Sequence, residues 1–368
     1  MWFSTKRRKL NLALQGGGAH GAFTWGVLDQ LLCDEQVELS WISGTSAGAI
    51  NAIAVAHGLA THDLATDGRQ RARETLESIW TAVEKAGVPD LTDFNPFLSS
   101  LARVGAMANL NGVFSPYSFN PLGFDPLRKI LVEHIDFEAI RANPSVNVMV
   151  AATDIATGRA RLFRGDDLTI DAVLASACLP TLHHAVTIDG RGYWDGGFSA
   201  NPDLLSLASQ SPVGDTMLVL LNPLSAPDVP RTAASIEDRV NTITFNQPLL
   251  RDIDTIVRAK EMQPGWFAPR RTPLARLKGH RFHLIEAGQH TAELGLDSKV
   301  RPDREVLRQL YHAGLIESER WLSMHKPAIG RRGTVSLREH FIERLVDAMP
   351  NVADDAEDAD TPPLAKSA

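Results

Sequence analysis

The sequence predicts an α/β protein built around a mainly parallel central sheet. Two strand-loop-helix units fall within the first sixty residues, a succession that favours parallel strands covered by helices. Later apolar runs at 146–152 and 217–221 are nearly uninterrupted, as strands buried on both faces tend to be. Beyond about residue 230 the chain turns more charged and its apolar spacing becomes helical, which predicts a largely helical C-terminal extension.

Residues 10–14 form the first strand, stopped by Gln15 and three glycines, and 22–32 then place Phe23, Val27, Leu28, Leu31 and Leu32 at helical spacing. Residues 37–42 read as a second strand, 43–48 as a sharp turn, and 49–59, rich in Ala and Ile, as a second helix. Between 90 and 124 the pattern breaks into Pro, Asn, Gly and Ser around Phe94, Phe97, Phe114, Phe119 and Phe124. Two readings stay open for that segment: the lining of an acyl-chain cleft, or ordinary packed loop. Asp125-Pro126 supplies an N-cap and a first helical residue for a helix carrying Leu127, Ile130, Leu131 and Ile135. Short strands at 186–188 and 193–194 flank DGRG, a hairpin signal. Further helices are predicted at 249–262, 303–316 and 337–349, and the acidic stretch 352–368 reads as disordered.

Composition narrows the function. The 368 residues are 44% apolar and 22% charged, and 37 Lys+Arg against 44 Asp+Glu give −7, so no global positive field recommends nucleic acid as partner. The two cysteines, Cys33 and Cys178, lie far apart and outside any ligand spacing, which predicts neither disulfide framework nor zinc site and points to a reducing, cytoplasmic compartment. No apolar run approaches the ~20 residues of a membrane-spanning helix, so membrane contact is expected to be peripheral. Lys6, Arg7, Arg8 and Lys9 read as a solvated basic terminus that could touch anionic headgroups. No metal or cofactor is expected, and the oligomeric state is left open.

Two glycine motifs carry the chemistry. The first, GGGAHG from Gly16 to Gly21, satisfies G-x-G-x-x-G between a strand and a helix. Dinucleotide binding would want an acidic residue ending the second strand, and Glu35 and Glu38 both come too early. The same glycines can instead converge backbone N–H groups at a helix N-terminus, an anion site. The second motif, GTSAG from Gly44 to Gly48, matches G-x-S-x-G at a strand-to-helix junction, where small residues two before and two after let Ser46 stand at the apex of a tight turn.

A serine hydroxyl needs a base to take its proton. His183, His184, His280 and His283 are available, but none sits in a recognisable motif, and His183-His184 reads as a loop pair on a solvated edge. Asp195, in YWDGG with Gly196 and Gly197, is the better base. Taken alone an Asp-Gly pair is usually a turn, as Asp189-Gly190 is predicted to be, but Asp195 comes after the second hairpin strand.

In this order, QGGGAHG, GTSAG and DGG resemble the patatin-like lipid acyl hydrolases, over about residues 10–221. AATDIATGRARLF at 151–163, ASACLP at 175–180 and Asn201-Pro202 strengthen the resemblance. It implies a three-layer sandwich, a Ser-Asp dyad of Ser46 and Asp195 without catalytic histidine, and an oxyanion hole at Gly16, Gly17 and Gly18, with Gly21, Gly44, Gly48, Gly196 and Gly197 as supporting positions. One departure is His20, where the family's loop commonly carries arginine. A neutral His20 offers a hydrogen bond at most, or is simply a first-turn residue facing solvent. The resemblance divides the chain into a basic segment 1–9, a catalytic domain 10–225, a mainly helical extension 226–350 and an acidic tail 351–368. The expected function is lipid acyl hydrolysis through an acyl-enzyme, with a lipid or other acyl ester as partner. The alternatives are an acyltransferase or polyester depolymerase with the same nucleophile, or a non-enzymatic lipid or dinucleotide binder.

Overall fold

The computed structural model describes residues 7–61, 67–87, 115–121, 123–226, 228–262, 272–291, 294, 298–299 and 303–343. Eight strands among them form one mixed, mostly parallel sheet: β1 (Arg8–Leu14), β2 (Val37–Thr45), β3 (Asn147–Asp154), β4 (Ala160–Phe163), β5 (Val186–Ile188), β6 (Arg191–Asp195), β7 (Asp215–Leu220) and β8 (Arg281–Glu286). Their order is β5-β6-β3-β2-β1-β7-β8, with β4 also pairing on β3. The pairs joining β3, β2, β1, β7 and β8 are parallel, while β4, β5 and β6 run antiparallel to their neighbours.

Alternation along the strands makes two cores. Leu10, Leu12 and Leu14 of β1, with Met217 and Val219 of β7, face one layer, whereas Ala13, Leu218 and Leu220 face the other. The first layer is built by α1 (Gly21–Cys33), α2 (Ala47–Ala60), α3 (Gly68–Gly87), α4 (Pro126–His134), α5 (Phe137–Ala142) and α6 (Ile170–Ser176). The second is built by α7 (Leu204–Gln210), α8 (Ala233–Glu261) and α9 (Pro273–Gly279). A late helix, α10 (Arg304–His325), returns to the first layer and crosses α1 so closely that glycine is required on both: a Cβ at Gly26 would lie 2.0 Å from the Tyr311 carbonyl oxygen, and one at Gly314 would lie 2.1 Å from that of Phe23.

Several expectations are corrected. The region after 230 is largely helical, as expected, and adds one strand the sequence did not announce, β8, which joins the sheet beside β7. Its polar His283 and Arg281 obscure the strand in the sequence, yet both are bound by the buried Asp215. Arg281 donates to both carboxylate oxygens (2.9 and 2.6 Å) and Gly330 N–H to one (3.0 Å), and the His283 imidazole shares a further hydrogen bond. Helix α8 begins at Ala233 rather than 249 and runs through Pro248, opened by a capping box of Thr232 and Ser235. Arg8 and Lys9 belong to β1 rather than to a free terminus, with Arg8 donating to Ile329 O and Lys9 paired to Glu38 at 3.1 Å; Arg7 is exposed. Lys6, most of the phenylalanine segment, and residues 344–368 with the acidic tail lie outside the described residues.

Helix α3 holds the end of α1. The Arg69 guanidinium donates to the carbonyls of Leu31, Leu32, Asp34 and Val37 at 2.7–2.8 Å, satisfying acceptors that a helix C-terminus leaves open. Arg69→Ala is expected to cost about 2–4 kcal/mol in equilibrium denaturation, because several partly buried carbonyls lose a charged donor. Arg69→Lys should recover only part, since an ammonium cannot present the planar fork. A loss under about 0.5 kcal/mol for alanine would contradict this role.

Candidate active site

Strand β2 continues through Ser43, Gly44 and Thr45, so the expected turn shrinks to one residue. Ser46 alone makes the corner, at φ 54° and ψ −122°, a backbone state costing about 1–3 kcal/mol that persists only where its surroundings fix it. They do. The Ser46 N–H donates to Ser176 Oγ at 2.9 Å, and its carbonyl accepts from Ala49 and Ile50 in the first turn of α2. The flanking glycines are steric necessities: a Cβ on Gly44 would stand 2.5 Å from Gly48 O, and one on Gly48 would stand 2.2 Å from Leu14 O.

Asp195 ends β6, and the sheet register brings it to the serine. Thr45 pairs with Ala151 and Asp195 with Ala152, so one strand, β3, separates the two chain segments. At about 4.8 Å per strand the backbones are roughly 10 Å apart, a gap two inward-facing side chains can close. Thr153 Oγ1 donates to Asp195 O, Thr45 Oγ1 donates to Ala200 O (both 2.7 Å), and the Asp195 N–H donates to Cys178 O at 2.8 Å. Gly196 is forced by proximity to β3, where its Cβ would lie 2.1 Å from Ala151 O; a Cβ on Gly197 would meet the Phe245 ring at 2.3 Å.

The carboxyl of Asp195 is almost fully buried. Oδ1 accepts from Gly197 N–H at 2.7 Å, while Oδ2 is buried without a closed hydrogen bond. Burial pushes its pKa up to about 7, opposed by the Gly197 N–H and the Ser46 hydroxyl, which faces the carboxyl and favours its ionised form. The Ser46 hydroxyl and the Asp195 carboxyl therefore face each other in electrostatic contact.

The glycine loop lies against the serine: a Cβ on Gly16 would be 2.9 Å from Ser46 Cβ, and one on Gly21 would be 2.6 Å from Ala47 Cβ. Of the three expected donors, Gly16 is already engaged, its N–H bonded to Asn201 Oδ1 at 2.8 Å. The Gly17 and Gly18 N–H groups make no hydrogen bond among the described residues. Asn201, fully buried, is itself held by its Nδ2 bond to Phe245 O, and Gln15 anchors the loop from below, accepting from Leu221 and Asn222 N–H and donating to Asn246. Neither Gln15 nor Ser176 is singled out by sequence motifs, although both fall in or beside the stretches that carry the resemblance.

The histidines sit elsewhere. His283 is on β8, three strands from β2, and His280 caps α9 just before that strand; they are bonded to Asp215 and Thr216 respectively. His183 and His184 are half-buried rather than solvated: His184 stacks on Tyr117 and bonds Pro116 O, and both line a cavity of about 240 Å³ with Phe124, Asp125, Arg128 and Cys178. Burial pushes the Cys178 thiol up to about 12, and Sγ donates to His184 O, so it is no rival nucleophile. His20 is buried rather than solvent-facing, and burial together with nearby Lys299 brings its pKa down to about 3, leaving a neutral ring. Among the described residues no cluster of His, Cys and carboxylates could hold a metal, and no helix is long and apolar enough to cross a membrane.

The patatin-like phospholipase family model matches residues 12–208. Among solved structures, VipD from Legionella pneumophila is similar at 15% identity with a TM-score of 0.42, over 93% of this chain and 74% of that one. Comparison with curated proteins finds no match. The matched stretch exceeds half of the chain and contains Ser46, Asp195 and Asn201, and the mostly parallel sheet with its helical layers is the patatin fold. The chain belongs to the patatin-like phospholipases, a family of lipid acyl hydrolases.

Proposed function

We propose that this protein hydrolyses acyl esters of lipids with a Ser46-Asp195 dyad. The observation that carries the reading is the buried Asp195 carboxyl, one oxygen unsatisfied, facing a serine whose strained backbone holds its hydroxyl toward it. In this scheme Asp195 accepts the hydroxyl proton as Ser46 Oγ attacks the ester carbonyl. The Gly17 and Gly18 N–H groups receive the developing oxyanion, the alcohol leaves with the proton held by Asp195, and water then cleaves the acyl-enzyme by the reverse assignment. One such donor is typically worth ~2.7–4 kcal/mol of transition-state stabilisation. A base with a pKa near 7 suits neutral pH better than an ordinary carboxylate.

Dinucleotide binding is disfavoured by the loop's surroundings, since the second strand ends at Thr45 and turns at Ser46, and Glu38 is paired to Lys9. Acyl transfer to an alcohol uses the same acyl-enzyme and is distinguished by products alone. The free thiols of Cys33 and Cys178 support a reducing, cytoplasmic setting, with access to lipid by peripheral contact.

Labelling of the folded protein by a fluorophosphonate should occur at Ser46 and vanish in Ser46→Ala; a folded wild type that resists labelling removes the enzyme reading. Asp195→Asn is expected to lower kcat/KM by about 10²–10⁴-fold, whereas His183→Ala with His184→Ala should cost far less. A silent double variant would replace the dyad by a triad.

The raised Asp195 pKa predicts two pH dependences. Activity should rise with pH through about 7, as the carboxyl ionises to become a base. Stability should move the other way: between pH about 4 and 7 the unfolded chain has released a proton that the folded protein still holds, so stability falls as pH rises across that window. Asp195→Asn cannot ionise, and at pH 8 it should be strongly impaired yet about 2–4 kcal/mol more stable than the parent in urea denaturation. Equal stability of the two proteins at pH 8 would show that the carboxyl is not raised.

A further inference from the structure

The glycine loop is held by two buried carboxamides, Gln15 immediately before it and Asn201 on the Gly16 N–H, and both end on consecutive residues of α8. Gln15 Nε2 donates to Asn246 Oδ1 at 3.0 Å, and Asn201 Nδ2 donates to Phe245 O at 2.9 Å. Phe245 and Asn246 belong to the C-terminal extension and fall outside the stretch 12–208 matched by the family model.

The Gln15 chain of bonds has a single consistent direction, set by its backbone ends. The Leu221 and Asn222 N–H groups can only donate, so Gln15 turns Oε1 to them (2.8 and 3.0 Å) and Nε2 to Asn246. Asn246 must then accept with Oδ1, and its Nδ2 is left for the Pro223 carbonyl, reached at 3.0 Å. Asn246 is itself buried, so no solvent stands ready to replace it in this network. The same turn of α8 also reaches the base. The Phe245 ring packs against Phe198 with centroids 4.9 Å apart and fills the space a side chain at Gly197 would need, and the Gly197 N–H holds Asp195 Oδ1.

We infer that Asn246 is a positioning residue for the reaction at Ser46: by fixing the Gln15 carboxamide it aims the Gly17 and Gly18 N–H groups, which follow within three residues, at the developing oxyanion. The inference rests on the acyl-hydrolase reading of that site and gives the helical extension a part in it. Oxyanion donors work only when held in place before the charge forms, so a loosened loop loses transition-state stabilisation while ground-state binding of the ester changes little.

The test uses the full chain as wild type, Asn246→Leu, Asn246→Ser and Ile256→Val, with p-nitrophenyl octanoate as the ester. Leucine is close to asparagine in size and removes both hydrogen bonds, whereas serine leaves room for a bridging water. Ile256 is buried about three turns further along α8, so its trimming to valine reports destabilisation of the helix alone. Asn246→Leu should lower kcat by about 10–100-fold with KM within about twofold, and weaken a trifluoromethyl ketone, whose adduct places an oxyanion at the same donors, by a similar factor. Asn246→Ser should lose at least about threefold in kcat, and Ile256→Val less than about twofold. A loss in Asn246→Leu under about threefold, one confined to KM, or one matched by Ile256→Val overturns the inference. If the leucine variant does not fold, serine decides, and a change there under about twofold overturns it. Fluorophosphonate labelling run alongside separates the two failures. A wild type that is not labelled at Ser46 removes the hydrolase reading and this inference with it, whereas labelling at equal rates in wild type and Asn246→Leu overturns only the role of Asn246. Should the labelled protein leave this ester uncleaved, the labelling rate carries the comparison, because the phosphoryl oxygen uses the same donors, and about tenfold slower labelling of Asn246→Leu is expected.

Discussion

A carboxyl group buried with one oxygen unsatisfied is expensive, and the structure around Asp195 is arranged so that the chain cannot relax it away. Its backbone is fixed by Cys178 O and Thr153 Oγ1, its Oδ1 by the Gly197 N–H, and the glycines that follow have no room for a side chain. On the other side of β3, Ser46 is held in an equally unfavourable backbone state by Ser176 and the start of α2. Two local strains face each other across one strand, and the rest of the sheet is what makes both tolerable.

That dependence explains why parts of the chain remote in sequence matter to the site. Asn201 takes the Gly16 N–H and so fixes which loop amides remain open, while Gln15 and Asn246 tie the same loop to α8. Strand β8 and helix α10, from the region with least resemblance to the family, complete the sheet edge and press on α1, the helix that the glycine loop begins. Lys299, whose carbonyl lies against Gly18, comes from this same late region.

Much of this was legible in the sequence for a physical reason. G-x-S-x-G and the glycine loop are steric requirements, so the residue types themselves encode the close approaches later seen at Gly44, Gly48 and Gly16. Near-continuous apolar runs marked β3 and β7 because both faces of those strands are covered. What stayed hidden was paired polarity. β8 did not read as a strand because Arg281 and His283 look solvent-facing until Asp215 is placed beside them, and α8 appeared to start late because Pro248 looks like a helix boundary. Of the two readings left open for His20, the surface one fails for the same reason: its hydrogen-bond partner Ser298 is 278 residues away. Sequence pattern reports local periodicity, and these features are fixed by contacts it does not contain.

The most direct measurement is a crystal structure of the protein after phosphonylation at Ser46, in which a tetrahedral phosphorus stands where the ester carbon would be. The account predicts one phosphoryl oxygen at about 2.7–3.1 Å from the Gly17 and Gly18 nitrogens, with the Asp195 carboxyl beside Ser46 Oγ. A phosphoryl oxygen turned away from the glycine loop, or a histidine in place of Asp195 next to the serine, would contradict it.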